Sequence, residues 1–362
     1  MRYLFFTNTP AHVHLYKHTI DRLEDAGHEV LVLGRDYGCT EALLEYYDLP
    51  YRIYGACDTT KSSLFRELPG QYYTIAKLAR GYDPDWIFGI GSYAAHAGAL
   101  TRTPVTVVLD TEPTSLDHLL SRPFTSTFLT PAAFRKDLGA NHVRFRGFKE
   151  SAYLHPDTFE VDPSVRSSLG VSPDEPYAIV RFNAWGSHHD IGEGGFTRNQ
   201  RRQLLSRLTE DVTVFVSDEG GTADLDDLDV EPFSLHPARI HDALAEADLL
   251  VADTQTMVTE AALLATPAIR SNSFVGDSDM GNFLELEAND LLYNCETFED
   301  VLSQVSDLLE RDSLQETWES RRNEYVEDMV DLTELLTDLA RSKAGYEPTD
   351  TPADLTETEV LA

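Results

Sequence analysis

The sequence predicts an α/β protein of two doubly wound, Rossmann-like domains that face one another across a cleft. Three observations predict it. Short runs of β-branched and aromatic residues alternate with amphipathic helical stretches, as in parallel sheets covered on both faces. The alternation breaks once, at 155–176, where four prolines interrupt it, and then restarts. A chain of 362 residues is long enough for two cores of ordinary size.

The elements follow in order. Residues 2–7 (RYLFFT) read as a buried first strand. In 14–26, Leu15, Ile20, Leu23 and Ala26 fall on one helical face, and Gly27 ends the helix. Strand 29–33, helix 40–47, strand 51–54, helix 70–80 and strand 86–90 come next. A helix over 93–101 leads to strand 104–109, and weaker strands lie at 125–130 and 142–146. This first domain covers 1–155. Residues 156–176 read as a linker with a short helix at 163–169. The second domain, 177–344, opens with strand 177–182 and continues with helix 198–208, strand 212–217, helix 238–247 and strand 248–252. Helix 256–265, strand 267–270, helix 281–287, strand 290–293 and helices 297–310 and 314–343 complete it. The remainder, 345–362, is acidic and rich in Pro and Thr, and reads as a disordered tail.

Composition excludes several functions. No run of about 18 apolar residues suggests a transmembrane segment, and the N-terminus lacks the cleavage pattern of a signal peptide. Cys39, Cys57 and Cys295 are far apart and odd in number, which fits a reducing cytosol better than a disulfide framework. A cytoplasmic location is expected, with a peripheral position on the inner face of the membrane left open. Asp and Glu total 62 against 29 Lys and Arg, a net charge of −33. A nucleic-acid partner calls for the opposite sign. Scarce lysine with abundant acid fits a halophilic cytosol, where a Debye length of about 3 Å screens self-repulsion.

Four stretches could carry chemistry. The turn after the first strand, Thr7-Asn8-Thr9-Pro10-Ala11-His12-Val13-His14, has no glycine for a dinucleotide pyrophosphate. It carries His12 and His14, either of which could take a proton from a hydroxyl, or cap the helix. Gly89-Ile90-Gly91-Ser92-Tyr93 could expose backbone N–H groups to an anion, or be only a tight turn. Asp110 and Glu112, at the carboxyl end of strand 104–109, could orient an acceptor hydroxyl or a histidine, or merely be solvated.

In the second domain, Arg181 ends a strand and could fork onto phosphate. Ser187 and His188 follow in a loop that could wrap a diphosphate. His188-His189-Asp190 could hold a metal, but no distant ligand joins them, so no metal site is assigned. The richest stretch is 253–269. A strand ends there and a helix begins near Thr256, offering unpaired N–H groups together with the hydroxyls of Thr254 and Thr256. Gln255 lies between them. Glu260, one turn in, could take both ribose hydroxyls or only compensate the helix dipole.

The hydroxyl-rich turn, Glu260, Ala261-Ala262 and the Thr266-Pro267 strand entry resemble the nucleotide-binding segment of GT-B glycosyltransferases and non-hydrolysing UDP-GlcNAc 2-epimerases. To about residue 343 the chain is similar to the archaeal and bacterial family termed domain of unknown function 354. The shared marks are NTPAHVHLYKHTIDRLEDAGHEVLVLGRD, VVLDTE, VRFNAWGSHHDIG and MVTEAALLATPAI. The resemblance implies a GT-B-like fold, with Glu260 on the ribose, the 254–257 turn on the diphosphate, and Ser217 and Asp218 near the base. It also implies that His12 or His14 is the catalytic base. Asp253-Thr254-Gln255 stands where those enzymes usually carry glycines.

Together these readings give a metal-independent glycosyltransferase with no cofactor beyond its nucleotide-diphosphate-sugar substrate, acting on a glycan or lipid-linked acceptor. The alternatives are a nucleotide-sugar 2-epimerase, for which Asp110, Glu112 and Asp190 are available acids, and a non-catalytic nucleotide-sugar-binding protein.

Overall fold

A computed structural model describes residues 1–56, 61–183, 194–220, 227–311 and 313–343, and the proposed tail at 345–362 lies outside them. The chain forms two units. The first is residues 1–158 with the segment that starts at Met329; the second is residues 159–328.

The first unit runs β1 (Arg2–Thr7), α1 (Pro10–Asp25), β2 (Glu29–Asp36), α2 (Thr40–Tyr46), β3 (Tyr51–Ala56), α3 (Lys61–Tyr82), β4 (Trp86–Gly89) and α4 (Ser92–Thr101). Then come β5 (Val105–Val108), α5 (Ser115–Ser121), β6 (Thr127–Pro131), β7 (His142–Phe145) and α6 (Ser151–Leu154). Its seven strands pair in parallel in the order β3-β2-β1-β4-β5-β6-β7. Both faces are covered, so β1 buries all but its first residue. Leu4, Phe6, Leu33, Ile87, Val105, Val107 and Phe128 form the centre of one core layer.

α1 starts at Pro10, four residues before the periodic apolar pattern does. Proline in the first turn gives up no helical hydrogen bond and arrives with helical φ. α3 begins well before the expected residue 70 and carries Pro69 inside it.

The expected helix 314–343 is two helices, α13 (Leu314–Val326) and α14 (Leu332–Lys343). Between them the backbone N–H of Val330 donates to the Arg146 carbonyl at 3.0 Å. The Thr333 N–H donates to Asp331 Oδ1 at 2.7 Å, and the Thr158 hydroxyl to Asp331 Oδ2 at 3.0 Å. α14 then lies on α1 and α6, where Tyr3 donates its hydroxyl to the Ala340 carbonyl. The last helix therefore completes the first unit, whereas the sequence reading grouped it with the second. Amphipathic periodicity says that a helix covers something, not which body it covers.

The second unit runs α7 (Ser164–Leu169), β8 (Tyr177–Phe182), α8 (Arg198–Leu208), β9 (Thr213–Asp218), β10 (Glu231–Pro232), α9 (Ile240–Ala245) and β11 (Leu249–Ala252). It continues with α10 (Thr256–Leu263), β12 (Ala268–Arg270), α11 (Gly281–Ala288), β13 (Tyr293–Asn294) and α12 (Phe298–Leu309), and ends with α13. Its six strands are parallel in the order β10-β9-β8-β11-β12-β13. Val180, Leu204, Val214, Val251, Ile269, Val301 and Trp318 belong to one continuous core. In both sheets the order reverses beside the first strand of the unit, between β1 and β4 and between β8 and β11. Open α/β sheets bind ligands at such switch points, beyond the carboxyl ends of the strands.

Candidate functional site

At the carboxyl end of β1, Asn8 is held on three sides. Its Nδ2 donates to the Ile90 carbonyl, its Oδ1 accepts from Tyr54 at 2.9 Å, and its carbonyl accepts from Arg35 Nε at 3.0 Å. Its backbone N–H donates to His12 Nδ1 at 3.1 Å. That bond fixes the ring, because an Nδ1 that accepts carries no proton. Burial, with the charges of Lys149 and Arg35 nearby, holds the His12 pKa well below the ordinary imidazole value. His12 is thus neutral, with its proton on Nε2, and presents a donor rather than a base.

His14 lies deeper and is 4% exposed. Its ring sits 5.4 Å from Tyr153 and 5.8 Å from Tyr47, whose hydroxyl also takes a bond from Lys17 at 3.3 Å. Asp110, after β5, pairs with Lys149, which also lies 3.6 Å from Glu150. Lys149 and Glu150 are both buried. Glu112 is buried too, with Oε1 accepting the Arg135 N–H and its carbonyl accepting Lys136 Nζ. The structure therefore brings His12 and Asp110 into one charged cluster around Lys149, and gives His14 and Glu112 protein partners of their own.

The turn before α4 already has its anion. Asp117 Oδ1 accepts the Ser92 N–H at 3.1 Å, and a side chain at Gly91 would meet Asp117 Oδ2 at 2.4 Å. An external anion at 89–93 would have to displace the chain's own carboxylate.

In the second unit the switch point is stapled by Asp253, which is fully buried. Its Oδ1 accepts the Asn183 N–H at 2.7 Å, across from β11 to the end of β8, and its Oδ2 accepts the Phe196 N–H. Arg201 reaches both Asp253 and Asp218, at 3.8 and 3.7 Å. Arg181 donates to Ser217 Oγ at 2.6 Å and to Glu219 at 3.0 Å. Arg181, Ser217 and Asp218 thus line the carboxyl ends of β8 and β9. Beyond β11, Gln255 is the N-cap of α10 and Thr256 its first residue. The buried Thr254 Oγ1 has no hydrogen-bond partner among the described residues, a costly state unless a ligand or water meets it. Glu260, 6% exposed, shares a 3.1 Å hydrogen bond with the Nε2 of buried His241 on α9. Ser187 and His188 lie outside the described residues. Among the described residues no group of three or more His, Cys, Asp or Glu could hold a metal ion.

Sequence reasoning missed Lys149, Glu150, Arg201 and His241. One signal for Lys149 was present: the chain has only six lysines, and two of them, Lys17 and Lys149, are buried. His241 gave none, since its partner lies on another helix.

The chain belongs to the family described as "Protein of unknown function (DUF354)", whose model matches residues 3–340. An uncharacterized protein of Methanocaldococcus jannaschii, MJ0665, is 24% identical over 280 residues, 73% of this chain and 79% of that protein. Among solved structures, the UDP-GlcNAc 2-epimerase of Neisseria meningitidis bound to UDP-GlcNAc is similar with a TM-score of 0.62 and 11% identity, covering 95% of this chain and 99% of the other. The spinosyn forosaminyltransferase SpnP is similar with a TM-score of 0.64 and 15% identity, covering 95% and 99%. The fold is that of GT-B glycosyltransferases and UDP-GlcNAc 2-epimerases.

Proposed function

We propose that this member of the DUF354 family is a glycosyltransferase that takes its sugar from a nucleotide diphosphate. The observation that carries the reading is the switch point of the second unit. There the unpartnered Thr254 hydroxyl stands just before the tip of α10, and the buried Glu260 carboxylate lies one turn into that helix. In this reading Glu260 takes the ribose hydroxyls, and His241 keeps its carboxylate oriented. The diphosphate rests on the 254–256 turn, with Arg181 as a cation for its charge, and Ser217 and Asp218 lie by the base. The leaving diphosphate is stabilised by these fixed donors rather than by a metal ion.

The acceptor belongs to the first unit. His12 offers Nε2–H to an acceptor or sugar oxygen. Proton removal falls to Asp110, because the His12 tautomer leaves it no lone pair to accept with. The same region favours transfer over 2-epimerisation: Glu112 is committed to the Arg135 backbone, which leaves Asp110 as one acid of that pair, whereas epimerisation requires acids poised at two adjacent sugar carbons.

A thermal-shift screen of nucleoside diphosphates and nucleotide sugars in concentrated salt tests the binding half, since a ligand of the folded state alone raises the melting point. A shift with at least one nucleotide, lost in Glu260→Ala, is the expected result. Epimerised nucleotide sugar formed without acceptor would overturn the transferase reading.

A further inference from the structure

The first unit carries an exposed apolar surface that the proposed reaction does not use. α5 is built inside out. Two of its polar residues face inward: His118 is 5% exposed, bonded to the Thr114 hydroxyl at 3.0 Å, with its ring 5.9 Å from Phe134, and Asp117 caps α4. Its leucines face outward, Leu116 at 69%, Leu119 at 67% and Leu120 at 46%. Phe124, just beyond, is 46% exposed, and Leu100 on α4 is 40% exposed. These two adjoin, because the Phe124 ring packs 5.6 Å from His96, one helical turn before Leu100. Single exposed leucines need no explanation, but a contiguous outward set does.

Local charge says what meets this surface. Apart from the buried Lys149, which is paired with Asp110 and Glu150, residues 113–146 hold five basic side chains, Arg122, Arg135, Lys136, Arg144 and Arg146, against two acidic ones, Asp117 and Asp137, in a chain whose net charge is −33. Arg122 lies between Leu120 and Phe124 in the chain, Arg135 is exposed, and Lys136 Nζ sits 2.6 Å from Ser115 Oγ at the start of α5. Leucines flanked by cations match the interface of a bilayer with anionic headgroups, where apolar side chains enter the acyl boundary and cations meet phosphates. A second copy of this face would set like charges against one another.

We propose that α5 and the turn after it form a membrane-contact element that docks the first unit on an anionic lipid surface. Docking needs no nucleotide, so it stands or falls separately from the transferase reading; with that reading, the acceptor is one carried by lipid.

The test is flotation of the full chain with vesicles of phosphatidylglycerol or of phosphatidylcholine in about 1 M NaCl. There a Debye length of about 3 Å removes long-range repulsion and leaves contact pairs in place. The wild-type chain is expected to float with phosphatidylglycerol and more weakly with phosphatidylcholine. Leu119→Ser with Leu120→Ser weakens binding at least about tenfold. Arg122→Glu with Arg135→Glu brings phosphatidylglycerol binding down to the phosphatidylcholine level. Both variants change exposed positions and keep the wild-type melting point and nucleotide response, which separates lost docking from lost folding. Absence of flotation, flotation indifferent to the leucine changes, or a dimer that those changes split would each overturn the proposal.

Discussion

Glu260 and His241 meet at 3.1 Å across two helices of the second unit, both buried. Neither helix alone could orient the pair. Glu260→Ala is expected to weaken nucleotide binding by about tenfold or more, the range of a charge-assisted bond. It also lowers stability by about 1–3 kcal/mol, because His241 loses its acceptor in the interior. His241→Ala should lower affinity less than Glu260→Ala does. Titration calorimetry with the nucleotide found in the thermal-shift screen measures both, and equal affinity in Glu260→Ala and wild type would remove Glu260 from the site.

The tautomer of His12 separates two roles that the sequence left together. Asp110→Asn is expected to lower kcat by about 10²–10⁴-fold, the usual worth of a general base. His12→Asn, which still offers an acceptor to the Asn8 N–H, acts chiefly on KM. Steady-state kinetics of both variants with one donor and one acceptor decide it, and the reverse pattern would return the base role to His12.

Gly91 has φ +74° and faces the Asp117 carboxylate. Gly91→Ala therefore carries both backbone strain and a clash, and should cost about 1–3 kcal/mol. In an Asp117→Ala background the clash is gone and only the strain remains, so the second cost is smaller. A double-mutant cycle by urea denaturation gives the difference.

His142 links stability to pH. Burial, with Arg144 nearby, lowers its pKa to about 4. Its Nδ1 accepts the Leu138 N–H at 3.2 Å and its Nε2 bonds the Thr130 hydroxyl at 2.8 Å, so the folded ring is neutral. Between the unfolded value near 6.5 and the folded value, the unfolded chain binds the extra proton. Stability is therefore complete above about pH 6.5 and declines by about 1.4 kcal/mol per pH unit on the way down to about pH 4. Denaturation curves across that window should be shallower in pH for His142→Asn.

The charge of −33 predicts a salt-dependent fold. Raising KCl from about 0.1 to about 2 M should raise the melting temperature by several degrees, as screening removes self-repulsion. Melting at the same temperature in both would mean that local pairing already balances the excess.

Strands buried on both faces were readable in the sequence because they are continuous apolar runs, as in RYLFFT and YAIVRF. β10 was not, since Glu231–Pro232 carries no such run. α5 escaped for a different reason: its leucines face outward, so its pattern does not report a core. Within the candidate site, the α10 turn and Glu260 stood out because one short segment supplies them. The Lys149 cluster and the His241 contact join residues 39 and 19 positions apart, and only the folded chain shows them.

Because the segment from Met329 returns to the first unit, the second unit is an uninterrupted insertion within it. Excising each body as its own polypeptide must respect that nesting. Residues 159–328 form one continuous piece. Cutting the chain near residue 176 strips α14 from α1, and with it the carbonyl that receives the Tyr3 hydroxyl. A short splice from 158 to 329 keeps that helix in place, and Thr158 already bonds Asp331 two residues past the junction.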